Sequence, residues 1–98
     1  MTQHPELDEL RRAIDDIDRR ILELLGERVS IVLRVGDYKR ARGMAVYDPE
    51  RERRMLERLM AAAPRPLDGE TVRRVFERLI DESRRLEQHH ITERPPAR

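Results

Sequence analysis

Apolar residues return along the first third of the chain in heptads: Leu7, Leu10, Ile14, Ile17, Ile21 and Leu24, followed by Ile31, Val35 and Tyr38. That spacing keeps one face of a helix apolar. Neither proline nor a cluster of loop residues interrupts it, so the pattern predicts one helix over about residues 7–42. Gly26 and Gly36 lie inside it and are tolerated at a modest cost each. Gly43 offers the stop. Asp48 reads as an N-cap with Pro49 at the first helical position, opening a second helix through Met55, Leu56 and Leu59 to the alanines at 61–63. Pro64 and Pro66 break the chain, and Asp68 caps a third helix. Its stripe is Val72, Val75, Phe76, Leu79, Ile80, Ser83 and Leu86. Residues 91–98 lose the periodicity and are expected to form a flexible tail. The expected fold is all-α, with three helices per chain, one of them very long.

The length of the first helix carries a consequence. About 36 residues at 1.5 Å per residue make a helix of about 54 Å. A compact globule of about 100 residues has a radius of gyration of only about 13 Å. One chain cannot cover both ends of such a helix, and the simplest cover is a second copy related by a two-fold axis.

Composition narrows the class. The 98 residues allow a single domain, 1–98, with its core over about 7–90. Charged residues make up 42% and aromatic residues 3%, and Arg, Glu, Leu, Ala and Met dominate, which favours helices over strands. With no cysteine there is neither a disulfide framework nor a thiolate ligand or nucleophile. The opening MTQHPELDEL has no apolar core to serve as a secretory signal, and no apolar run approaches the roughly 20 residues needed to cross a bilayer. A soluble, cytoplasmic protein without a membrane partner is the expectation. Twenty-one basic residues are interleaved with 20 acidic ones for a net charge of +1. Binding to nucleic acid draws on a basic excess that neutralises phosphates, so no nucleic-acid partner is expected.

The residues that break the apolar stripes carry the chemistry. The series Leu7, Ile14, Ile21 continues at Arg28, an arginine at a core position that demands anions. Lys39 lies eleven residues on, three helical turns, on roughly the same face. At the start of the second helix Asp48, Arg51, Glu52 and Met55 share a face. The third helix turns polar at Ser83 and Glu87, four residues apart. Three stripes that each turn polar could enclose a cationic pocket for a small ligand with more than one carboxylate. Equally, Arg28 and Lys39 could pair with interior glutamates or snorkel to solvent, and the polar stretches of the other helices could be caps and solvated ends. There is no Gly-rich phosphate loop, no GxSxG elbow and no zinc spacing. His4, His89 and His90 read as surface residues. No metal ligand set, no cofactor motif and no nucleophile stand out, which suits a reaction helped by binding and electrostatics alone.

The pattern L-R-x-x-I-D-x-I-D-x-x-I-L-x-L-L-x-E-R from Leu10 to Arg28 resembles the all-helical (AroQ-class) chorismate mutases. So do V-G-x-x-K at Val35 to Lys39, D-x-E-R-E at Asp48 to Glu52, and VFERLIDESRRLEQ through Phe76 and Ser83. The resemblance spans about residues 7–90, with the four motifs in order. It implies an intertwined homodimer of three-helix chains with two equivalent active sites. It implies a [3,3] pericyclic rearrangement of chorismate to prephenate, in the shikimate pathway to phenylalanine and tyrosine, with no cofactor and no metal. Arg28 and Arg51, with Arg11 of the partner subunit, would hold the two carboxylates of chorismate. Lys39 would donate to the ether oxygen, Asp48 and Glu52 would meet the ring hydroxyl, and Ser83 would touch a carboxylate. Arg28, Lys39 and Glu87 would form the catalytic set.

Glu87 departs from the pattern of many bacterial relatives, which carry glutamine there to donate a second hydrogen bond to the ether oxygen; some members, fungal ones among them, carry glutamate. A carboxylate donates only when protonated, so the resemblance implies activity that rises toward acidic pH. Gln88 is the neighbouring alternative, about 100° around the helix. Three other activities stay open at this point: an isochorismate pyruvate lyase, a 4-amino-4-deoxychorismate mutase, and a helical dimerisation module without chemistry. Glu52 and Asp48 speak for a hydroxylated substrate, and Arg28 in the core series speaks against a mere coiled coil.

Overall fold

A computed structural model of the chain describes residues 3–93. It holds α1 (Pro5–Ala41), α2 (Pro49–Ala61) and α3 (Gly69–Glu93), and no strand among the described residues. The all-α expectation holds, and each helix begins and ends within about two residues of the predicted place save at the end of α3. There the helix continues through Ile91, Thr92 and Glu93, with the Thr92 hydroxyl donating to the Gln88 carbonyl at 2.9 Å. The rest of the expected flexible tail, 94–98, lies outside the described residues.

The chain divides into two compact units, the first ending at Ile31 and the second running from Val32. The first is the larger part of α1. Its heptad face is open to solvent in the single chain: Leu10 is 64% exposed, Ile14 56% and Ile21 47%. A helix of this kind keeps its shape through its own hydrogen bonds and i,i+3 pairs such as Asp16–Arg19.

The second unit contains the end of α1 and the packed pair α2 and α3. α1 stops in a Schellman arrangement: the Met44 N–H donates to the Lys39 carbonyl at 2.9 Å and the Gly43 N–H to the Arg40 carbonyl at 3.3 Å. Gly43 supplies the left-handed φ of 66° that this needs. Asp48 caps α2, accepting from the Arg51 N–H at 3.1 Å, with Pro49 as its first residue. Asp68 caps α3, accepting from the Thr71 N–H at 2.7 Å. Hydrogen bonds from the Thr71 N–H and hydroxyl hold the Asp68 carboxyl below its ordinary value, with lesser help from Arg74. Among the described residues the buried hydrophobic side chains are Val72 and Ile80, joined by Ser83 on the same helix. A core this thin leaves the unit with apolar surface still to cover, including Val35, Tyr38 and Val75.

Candidate active site

In the second unit a cavity of about 430 Å³ opens between the end of α1, the α1–α2 linker, α2 and α3. Its polar lining is Arg40 from α1, Tyr47 from the linker, Glu52 from α2, and Arg84, Glu87 and Gln88 from α3. Two cross-helix ion pairs organise it. The Arg84 guanidinium donates to Glu52 and lies over the Tyr47 ring at 4.5 Å. Partial burial works against the Arg84 charge, but the Glu52 carboxylate, with lesser help from Tyr47 and Asp81, outweighs it and raises the group above its ordinary value. The second pair joins Arg40 to Glu87 at 3.4 Å. Arg40 also meets Asp37 at 2.8 Å, and His90 Nε2 stands 3.3 Å from the other oxygen of Asp37.

Of the residues singled out by sequence, the cavity gathers Glu52 and Glu87, with the alternative Gln88 beside them. Lys39 is half-buried in the last turn of α1, next to Arg40. Ser83 is buried on α3. Asp48 spends one oxygen on the α2 cap, and the Arg51 side chain is exposed. Lys39, Asp48, Arg51 and Ser83 do not line the cavity. Arg11 is exposed and Arg28 half-buried on α1 within the first unit.

Three residues of the site were missed. Arg84 and Glu87 stand at i,i+3, a spacing that puts them side by side on one helix face, and that signal was there to read. Arg40 and Tyr47 gave no sign of their place in the cavity, because their partners there, Glu87 and Arg84, are 47 and 37 positions away. His90 also differs from the surface reading: it is half-buried and has a carboxylate partner in Asp37. His89 is exposed and pairs with Glu93 at 3.0 Å. No group of His, Cys, Asp and Glu suited to a metal ion occurs among the described residues, and no helix there is long and apolar enough to cross a membrane.

Three helices around a cavity of paired guanidinium and carboxylate groups define an all-helical protein built for a small polar ligand. Comparison with known proteins narrows that class. The family model for chorismate mutase type II matches residues 10–88. The chorismate mutase of Methanocaldococcus jannaschii is 32% identical over 89 residues, which cover 90% of each chain. The structure of a chorismate mutase from Thermus thermophilus superposes with a TM-score of 0.81 at 37% identity, covering 85% of this chain and 94% of that one. The bifunctional chorismate mutase/prephenate dehydratase of Pseudomonas aeruginosa is 37% identical over 93 residues, but that match covers only 26% of its length. The chain belongs to the chorismate mutase type II family, and it is an isomerase of that kind.

Proposed function

We propose that the rearrangement of chorismate to prephenate runs in a cytoplasmic homodimer of this chain, in sites that both subunits complete. The observation that carries the two-chain site is the open heptad face of α1, from Leu7 at 41% exposure to Leu24 at 62%. So much contiguous apolar surface calls for a partner, and a second copy presents the same face in return. The single chain's cavity also gathers two of the acids and none of the cations expected to grip substrate carboxylates. Arg11 of the partner subunit would supply one.

In this reading Arg28, Arg51 and Arg11 of the partner subunit hold the two carboxylates, and Ser83 adds a hydrogen bond to one. Gripping both ends selects the folded conformer in which the enolpyruvyl arm lies over the ring, so binding replaces an entropic search. Asp48 and Glu52 meet the ring hydroxyl, whose one proton is hydrogen-bonded to one of the two carboxylates; Glu52 is already held in place by Arg84. As the C–O bond breaks ahead of C–C bond formation, negative charge grows on the ether oxygen. The Lys39 ammonium and a protonated Glu87 meet that charge, and they bind the transition state more strongly than the ground state. No proton need leave the substrate.

Loss of chorismate absorbance on addition of protein, with the product identified by chromatography, tests the reading. Prephenate should form without added metal or cofactor, and Lys39→Ala should lower its rate about 10²–10³-fold. Turnover of isochorismate or of the 4-amino analogue in place of chorismate would contradict it.

A further inference from the structure

The Glu87 carboxylate occupies a place where α1 has no side chain. Gly36 is buried in the helix, and a Cβ added there would overlap Glu87 Oε1. It would also stand 3.1 Å from Glu87 Cδ and 3.2 Å from Arg40 Nη1. Glycine is a poor residue for the middle of a helix, and the need for this space accounts for it. Arg40, one turn further on, donates from Nη1 to the same Oε1 at 3.4 Å and from Nη2 to Asp37 Oδ1 at 2.8 Å. Asp37 thus engages one arm of the guanidinium fork and turns the other to Glu87. The Glu87 side chain is only 13% exposed.

We propose that Gly36 and Arg40 are positioning residues that seat the Glu87 carboxyl, holding Oε1 and leaving Oε2 as the oxygen that offers a proton to the substrate's ether oxygen. The proposal rests on Glu87 being the donor described above. An oxygen that accepts from a guanidinium is not the one that bears the proton of a neutral carboxyl, so the seat decides which oxygen is the donor. A glutamine fits the same seat, its carbonyl accepting from Arg40 and its amide facing forward.

The test compares chorismate turnover in the wild type, Gly36→Ala, Glu87→Asp and the double variant. Gly36→Ala should lower kcat about ten- to a hundredfold, as a displaced catalytic group does, with KM changed far less and helix content unchanged by circular dichroism. Glu87→Asp alone should also lower kcat, yet in the double variant the shorter acid should restore part of what Gly36→Ala lost, a non-additivity that marks direct coupling. A wild-type kcat in Gly36→Ala, or losses that simply multiply, would overturn the seat. A second readout is independent of turnover: the carbon-13 resonance of the Glu87 carboxyl, assigned by its disappearance in Glu87→Gln. It should move in Gly36→Ala and in Arg40→Ala, and a resonance unmoved in both overturns the seat whatever the kinetics. Full activity in Glu87→Ala would remove Glu87 from the chemistry, while the resonance would still decide where its carboxyl sits.

Discussion

The charged side chains that line the cavity are paired, Arg84 with Glu52 and Arg40 with Glu87, and the consequences of removing a charge differ by residue. Lys39, proposed above to donate to the ether oxygen, is half-buried at the end of α1. Removing a single preorganised donor of this kind costs about 10²–10³ in kcat, and Lys39→Ala should fall in that range in a steady-state assay, with the fold intact. Glu87 behaves differently, because it donates only when protonated. Glu87→Gln, whose amide donates without needing an added proton, should therefore turn over chorismate at least as fast as the wild type. A Glu87→Gln variant slower than the wild type would remove the requirement for that proton. Arg84 meets Glu52, Asp81 and the Tyr47 ring, and through Glu52 it holds a carboxylate expected at the ring hydroxyl.

At the scale of the helix, end signals in the sequence carried most of the fold. Asp48 with Pro49, Asp68, and Gly43 each do in the structure what their residue types suggest. Asp68 makes a clear test. Its carboxyl is held below the ordinary value by the Thr71 N–H and hydroxyl, so the ionised form is the one that caps α3. The sign follows from linkage: the stabilisation is present above the unfolded-state value and is lost as pH falls through the lower folded-state value. Asp68→Ala should lower the melting temperature at neutral pH, and the gap from wild type should close as the solution is acidified into that range. Thermal melts by circular dichroism across the acid limb would show this. The cross-helix pairs were not legible in the same way. Arg84–Glu52 spans 32 positions and Arg40–Glu87 spans 47. Periodicity assigns a residue to a face but not to its partner on another helix. The stripe through Ser83 leads on to Glu87, which lines the cavity although Ser83 does not, while Gly36 read as a tolerated defect until its space proved to hold a carboxylate.

At the scale of the molecule, the heptads of α1 explain why so little is buried in one chain. Val72 and Ile80 are the buried hydrophobic residues among those described, whereas Ile14, Ile17 and Ile21 are each 47–56% exposed. In the proposed dimer these isoleucines are covered by the partner. Ile17→Asp, which puts a charge in that seam, should dissociate the dimer in analytical ultracentrifugation and lose turnover with it. Arg28→Leu separates assembly from chemistry. In a seam that serves only to associate chains, leucine would stabilise, as replacement of a core charge by an apolar residue commonly does. Here the dimer should persist or tighten while activity disappears.

The most direct measurement mixes two variants that should each be inactive, Arg11→Ala and Lys39→Ala, by refolding them together. If one subunit supplies Arg11 to the other's Lys39, a heterodimer contains one intact site and one site lacking both groups. Random reassociation in a two-fold dimer then restores about a quarter of wild-type activity. Recovery near that level is the predicted result; a mixture as inactive as its parents would contradict a site shared between two chains.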